Sequence, residues 1–374
     1  LKLIYISNTR IPSEKANTYQ SMVMCEAFSK HYHHVEFWYP QMRNTPSMEK
    51  INNPFLFYNV NEVFSLKKIP CIDSTFLFKY FNTIWFLLRT FSFGISYLAK
   101  LKNIDPFTSI FTRDSHGLLF LNLAKKLGII KQKVYFEAHI YSKTITKNSK
   151  YIDGIIVINN YLKTLYEKDG VTNILVAHDG VNVSEYAHIM KYQKNTIANI
   201  VYTGNLFEWK GVYTLVDSLK YLNNVKCTII GGSDDTLPQF KKYIEEKKIK
   251  NIELTGFVKK SETIKYIENA DVLILPNSAK DKMSYYTSPL KLFEYMASKR
   301  PIVASSLPSI KEILKDGINA TLYEPDNPKD LAKKIRFVLE NDCSHMINQA
   351  YNDVQKYTWV QRVKNIVNWT QDEK

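Results

Sequence analysis

Two ionisable residues sit where a purely structural helix would not place them. In the stretch 284–308, SYYTSPLKLFEYMASKRPIVASSLP, Ser288 followed by Pro289 predicts a helix start. Serine suits the N-cap, and proline at the first helical position loses no needed N–H. The predicted helix runs to about Ala297, and Ile302-Val303-Ala304 behind Pro301 reads as a short buried strand. At about 100° per residue Glu294 falls between Leu290, Phe293 and Ala297, on an apolar face where a carboxylate loses hydration and needs a donor. Lys291 takes the third helical position, where an acid would complete a capping box and complement the positive helix end. A lysine there is unfavourable unless an anion arrives from outside, and free N–H groups at a helix start form a ready phosphate site. One helix thus offers an anion site at its start and a hydroxyl acceptor one turn on, a pair that suits a ribose diphosphate. The same residues also fit a buried helix whose Glu294 is tied to an Arg or Lys, and taken alone they leave both readings open.

Such a helix needs a sheet to position it. Short apolar runs at 1–6, 35–39, 109–112, 133–136, 152–158 and 174–178, then at 199–203, 226–230, 252–255, 271–275 and 302–304, read as strands. Helical stretches separate many of them, among them one from Ala16 and others at 118–127, 161–167, 238–248, 261–269, 310–315 and 328–339. That alternation predicts an α/β protein with doubly wound parallel sheets. His139 falls just past the 133–136 strand, in the crevice where open α/β sheets bind ligands. Lys210-Gly211 opens another helix, where charge and exposed N–H groups converge. Residues 41–75 read as a long, poorly patterned insertion. Phe76 to Ala99 is apolar enough to suggest a span, but Lys79, Asn82 and Arg89 interrupt it. One or two buried helices are predicted there, with contact to a membrane surface as the alternative.

Several blocks resemble the retaining glycosyltransferases of family 4, which have the GT-B fold. SPLKLFEYMASKRPIVAS is similar to that family's signature helix, GNLFEWKG to its GRLxxxKG block, VYFEAH to the strand that ends in an active-site histidine, and HDGVN to the NGVD turn before the domain linker. The resemblance implies two Rossmann-like doubly wound domains facing a central cleft. Residues 1–183 would bind the acceptor, 184–198 would be the linker, 199–356 would bind the nucleotide sugar, and a helix within 357–374 would cross back to the first domain. It implies that Glu294 holds the donor ribose, that Pro289, Leu290, Lys291 and Leu292 receive the diphosphate with Lys210, and that Phe257 and Val258 frame the base. His139 would touch the donor sugar and help position the acceptor, so His139, Lys210 and Glu294 form the expected catalytic set. RIPSEKAN resembles the opening of some bacterial polysaccharide transferases, which adds Glu14, Lys15 and Asn17 as sugar contacts beside Arg113 and Tyr286. Two positions depart from the common pattern. Tyr286 stands where most members carry a second glutamate, and Asn205 stands at an expected diphosphate cation, which leaves Lys291 as the substitute. The family mechanism needs no protein nucleophile, because the leaving diphosphate helps deprotonate the acceptor on the same face.

Composition narrows the alternatives. The chain has 374 residues, which favours two domains, and a net charge of +14, which favours an anionic partner. No zinc-finger spacing, RNP-like aromatic motif or basic-region heptad is present, so nucleic acid is not expected; anionic lipid headgroups or a lipid-diphosphate acceptor fit better. Cys25, Cys71, Cys227 and Cys343 are scattered without a CxxC pair, which suits a reducing compartment. LKLIYIS reads as a strand rather than a signal peptide, and the expected location is cytoplasmic, at the inner face of the cell membrane. There is no P-loop, GxGxxG, GxSxG or HExxH, and Asp234-Asp235 is adjacent rather than Asp-x-Asp, so no metal or cofactor is expected. The expected ligands are a UDP- or GDP-type sugar and a glycan or polyprenyl-linked acceptor. A nucleotide-sugar 2-epimerase and a non-catalytic nucleotide-sugar-binding protein are the competing readings.

Overall fold

The computed structural model describes residues 1–190, 192–233 and 235–371, with the side chain of Ser261 left aside; Asp234 and residues 372–374 lie outside the described residues. The chain divides into two units. The first holds residues 1–158, 162–177 and the Trp359–Gln371 helix; the second holds 159–161 and 178–358.

Among the described residues of the first unit, seven parallel strands form one sheet in the order β3-β2-β1-β4-β5-β6-β7. They are β1 (Lys2–Ile6), β2 (His34–Pro40), β3 (Ser65–Ile69), β4 (Ser109–Thr112), β5 (Lys133–Ala138), β6 (Gly154–Val157) and β7 (Ile174–Val176). The central strands are apolar on both faces, as a parallel sheet covered by helices requires. Leu3, Ile4 and Ile6 are fully buried. The Trp359–Gln371 helix packs on this unit, with Trp369 against Tyr135 at 5.6 Å between ring centroids.

The second unit carries six parallel strands among its described residues, in the order β10-β9-β8-β11-β12-β13. These are β8 (Ala198–Thr203), β9 (Val225–Ile230), β10 (Ile252–Gly256), β11 (Val272–Leu275), β12 (Ile302–Ser305) and β13 (Thr321–Tyr323). Each sheet reverses its strand order once, between β1 and β4 and between β8 and β11. Those switch points are where doubly wound sheets leave a crevice beyond the carboxyl ends of their strands.

Four expectations are corrected. The 41–75 insertion contains β3, an edge strand whose consecutive, exposed Lys67 and Lys68 put charge on both faces and hide the strand pattern. Only the four-residue Pro308–Lys311 helix forms in the 310–315 region, and the three-residue β13 follows it. The 184–198 segment is no free linker: Tyr186 and Ile189 are buried in the second unit's core. Phe76 to Ala99 does form two helices, Thr75–Tyr80 and Asn82–Leu101, but many of their apolar side chains are exposed rather than buried. Among the described residues no helix is long and apolar enough to cross a membrane.

Gly211 fixes the geometry of the β8 loop. Its φ is +71°, and a Cβ there would lie 1.7 Å from the Pro276 carbonyl oxygen. Gly317 has a similar φ of +69° with nothing within 4 Å of a built Cβ. Gly317→Ala should therefore lose only the left-handed backbone preference, roughly 1–2 kcal/mol. Gly211→Ala must also displace the backbone of the β11 loop, so its thermal unfolding midpoint should fall well below that of Gly317→Ala. Equal midpoints in a melting experiment would contradict the packing described.

Candidate functional site

Strands β8, β11 and β12 are neighbours, and the loops leaving their carboxyl ends bring several polar groups to one edge of the second sheet. The β8 loop supplies Gly204, Asn205 and Lys210. The β11 loop supplies Asn277, and the helix between β11 and β12 supplies Lys291 and Glu294.

The Lys291 amine is buried and has no hydrogen-bond partner among the described residues. It lies 3.7 Å from the centroid of the Tyr202 ring. Burial drives its pKa well below the ordinary lysine value; the Lys210 charge pushes it the same way and Glu294 opposes. Burial likewise lowers the Lys210 pKa to about 8, with the amine 3.8 Å from the Trp209 ring centroid. Two amines thus share a site that disfavours their charge, a strained arrangement that an anion would relieve. A Cβ on Gly204 would lie 2.9 Å from the Lys291 Nζ, so only glycine leaves that space open.

The helix start is offset by one residue from its sequence prediction. Pro289 has extended backbone and occupies the N-cap, and the helix is Leu290–Ala297. The Ser288 hydroxyl is not a helix cap; it accepts the Asp179 N–H at 3.1 Å. Lys291 is therefore the second helical residue. Proline has no N–H to give, and the Leu292 N–H already donates to the Pro289 carbonyl at 2.9 Å. Of the four positions 289–292, Leu290 and Lys291 are left to offer backbone N–H groups outward.

Glu294 is tied to neither an Arg nor a Lys by direct contact. Burial raises its pKa, nearby Lys260 opposes, Glu185 adds to the rise, and the Tyr186 hydroxyl donates to it. Lys260 itself pairs with Glu185 at 2.7 Å. The carboxylate keeps acceptor capacity for further hydroxyl groups. Asn205 is exposed, and its carbonyl accepts the Tyr202 hydroxyl at 2.7 Å. Phe257 is 65% exposed at the end of β10, while Val258 packs on the core. The Tyr286 ring stands 6.0 Å from that of Tyr161.

In the first unit, His139 lies immediately after β5 with its Nε2 2.6 Å from the Glu137 Oε1. Glu137 is buried and also accepts from Gln20 Nε2 at 2.9 Å and Arg362 Nη1 at 3.2 Å. Burial pushes this carboxyl up, but Arg362, His139 and Arg113 more than offset it and hold it well below the usual range. Arg113 donates to the Gln20 side-chain oxygen and, at 3.4 Å, to the Asn17 carbonyl. Of the remaining predicted contacts, Glu14 pairs with Arg10 at 3.5 Å, and the side chains of Lys15 and Asn17 are exposed. The structure thus gathers His139, Arg113 and the Asn17 backbone around one buried carboxylate, and leaves Glu14 and Lys15 on a solvated loop.

Three groups escape the sequence reading. Asn277 is fully buried, and neither atom of its amide has a partner among the described residues. Its place directly after β11, at the switch point, is the available signal. Glu137 is visible only as a charged residue inside an otherwise apolar strand. Arg362 carries no local signal, because its partner is 225 residues away.

Two α/β units with reversed strand order define the GT-B type of fold, and solved structures agree. The lipopolysaccharide outer core galactosyltransferase WaaB superposes with a TM-score of 0.74 over 100% of both chains, at 17% identity. Anabaena HepE, solved in complex with UDP-glucose, gives 0.74 over 99% of both chains at 13% identity. In sequence, residues 198–341 match the family model for glycosyl transferases group 1. An uncharacterized glycosyltransferase of Methanocaldococcus jannaschii is 25% identical over 245 residues, 65% of this chain and 62% of the relative. Less than two thirds of that relative's length is therefore matched. Residues 198–341 thus resemble group 1 glycosyl transferases, and the fold is of the GT-B type.

The buried Glu137–Arg362 pair yields a direct test. Arg362→Met leaves a buried carboxylate short of its main counter-charge and should cost about 3–5 kcal/mol. Adding Glu137→Gln removes that charge, so the double variant should regain much of the loss in denaturant unfolding. A double variant as unstable as the single one would show that packing, not charge, dominates there.

Proposed function

We propose that the chain is a retaining glycosyltransferase that takes a sugar from a nucleoside diphosphate, of the UDP or GDP type, and passes it to a glycan or lipid-linked acceptor. One observation carries the reading: Lys291 and Lys210 are sequestered together at the second sheet's switch point, and the Lys291 amine has no partner. A diphosphate supplies the missing charge, with the Leu290 and Lys291 N–H groups and the start of the helix adding to it. Glu294, one turn on, accepts the ribose hydroxyls, and Phe257 offers a ring to the base. The leaving group is stabilised by amines and backbone donors, with no metal required. In the first unit His139, held by Glu137, with Arg113 and Asn17, is assigned to sugar and acceptor contact, and in the second unit Tyr286 is assigned to the sugar. UDP and UDP-glucose, which occur in the HepE crystal structures, fit this donor class. The pathway in view is cell-surface polysaccharide synthesis, at the inner face of the membrane. A 2-epimerase would need acid–base carboxylates around the sugar, and the lysine site offers Glu294 alone.

Two experiments test the site. Thermal melts with UDP, GDP, ADP and dTDP should show stabilisation by one diphosphate with or without EDTA, about 2.7 kcal/mol at a hundred times Kd. Lys291→Met should weaken that binding by roughly 1.5–3 kcal/mol while leaving the ligand-free protein as stable or more so, because a buried amine is gone. Loss of stability without loss of binding would make Lys291 a packing residue and sink the assignment. Release of nucleoside diphosphate with acceptor, rather than an epimerised nucleotide sugar, separates transferase from isomerase.

The second test is pH dependence. Lys210 has a ligand-free pKa of about 8, below its ordinary 10.5. It is protonated below that value, and a bound diphosphate raises its pKa. Binding should therefore take up protons around pH 8, and affinity should fall as pH rises from 7 towards 9. Calorimetry in buffers of different ionisation enthalpy reads the uptake directly. A flat affinity with no proton uptake would remove Lys210 from the diphosphate site.

A further inference from the structure

The Asn82–Leu101 helix has two apolar faces. One, with Phe93, Tyr97 and Leu101, is buried in the first unit's core. The other carries Ile84, Leu87, Leu88, Phe91 and Ile95, all between 41% and 58% exposed. Their spacing of three or four residues is a single helical stripe on the side away from the core. The Thr75–Tyr80 helix and its end extend it with Phe76, Phe78, Tyr80 and Phe81, each about half exposed or more. The neighbouring Ser115–Lys126 helix adds Leu119 and Leu123, and its Phe120 packs edge-on against Phe91 at 5.4 Å. So large a contiguous apolar surface marks an interaction site.

Charge identifies the occupant. From Ser74 to Ile104 the sequence contains no Asp or Glu, but it does contain Lys79, Arg89, Lys100 and Lys102. Arg89 is buried, while Lys79, Lys100 and Lys102 are exposed. In the Ser115–Lys126 helix Lys126 is exposed, whereas Lys125 pairs with Asp153 at 2.8 Å and Asp114 caps the start. Lys102 caps the exposed stripe at the azimuth of Ile84, and the Lys79 amine lies 5.2 Å from the Tyr80 ring. Asp73, which accepts from Trp85 Nε1 at 2.8 Å, and exposed Asp105 bound the 74–104 stretch, but the exposed charges within it are lysines. Aromatic and aliphatic side chains interspersed with exposed cations match the boundary of an anionic bilayer, where rings sit at headgroup level and lysines meet phosphates. A helix of 20 residues, about 30 Å long, lies along such a surface rather than crossing it, since its opposite face is committed to the protein core.

We propose that the Thr75–Leu101 helices, with the outer face of Ser115–Lys126, dock the first unit in plane on an anionic membrane surface. This goes beyond the transferase reading, and none of its residues belongs to the lysine site. The test is co-sedimentation of the full chain with phosphatidylcholine vesicles, with and without phosphatidylglycerol. The protein should pellet with the anionic vesicles, far less with neutral ones, and release as salt rises. Leu87→Gln/Ile95→Gln replaces two outward side chains and should weaken partitioning roughly tenfold or more. Lys79→Glu/Lys102→Glu should weaken it at least roughly fivefold and flatten the salt dependence. Circular dichroism should show both variants folded. The proposal is overturned if the wild type stays in the supernatant with anionic vesicles. It is equally overturned if the Leu87/Ile95 variant pellets like wild type, or if light scattering shows a dimer that this variant dissolves while no vesicle binding occurs; that last result would make the face a contact between two copies.

Discussion

A buried lysine amine with no hydrogen-bond partner among the described residues, coupled to a second, half-buried lysine, is the constraint around which the second unit is arranged. Such a pair is unfavourable in a folded protein, and each neighbouring feature limits or exploits the cost. Tyr202 and Trp209 lend their ring faces to the two amines. Gly204 leaves room beside the Lys291 Nζ, and Gly211 lets the Lys210 loop press onto the Pro276 carbonyl. The parallel sheet holds these loops at one edge, and the short helix points its uncapped start the same way. Glu294, the nearest acid on that helix, bonds to Tyr186 rather than to either lysine, so the positive field is not spent internally.

The first unit solves the opposite problem. There a buried anion, Glu137, is supplied with donors by Gln20, His139 and Arg362. The result is a histidine fixed at a strand end by a carboxylate that is itself fixed from two other elements. Both units therefore put charge at the carboxyl edges of parallel strands, where the backbone leaves space and helices cover the rest. They differ in whether the counter-charge is built in. In the second unit the Lys291 amine has no hydrogen-bond partner among the described residues.

Much of this was legible in the sequence where local chemistry declares itself. Apolar runs of four to six residues separated by helical stretches announce both doubly wound sheets, and the unusual placing of Lys291 at a helix start shows in the sequence before its burial does in the structure. What stayed hidden depended on long-range partners or on edges. β3 reads as loop because its consecutive, exposed lysines put charge on both faces of an edge strand. β13 is three residues long, too short for a period to show. Ser288 looks like a cap until the Asp179 N–H claims its hydroxyl. Arg362 has nothing around it to mark it, because its meaning lies in Glu137. The apolar run after residue 75 was read as helix correctly and as buried wrongly, since composition reports how apolar a helix is and not how many of its faces find partners.

The placement of the Trp359–Gln371 helix bears on the order in which the molecule is made. A wall of the first unit's core, and the cation that neutralises Glu137, follow the second unit in the chain. Residues 178–358, almost all of the second unit, have emerged from the ribosome before that helix exists. Until that helix is made, Glu137 has Gln20 and His139 but lacks its Arg362 partner. The Trp359–Gln371 helix can therefore complete the first unit only after the second unit's residues have been made.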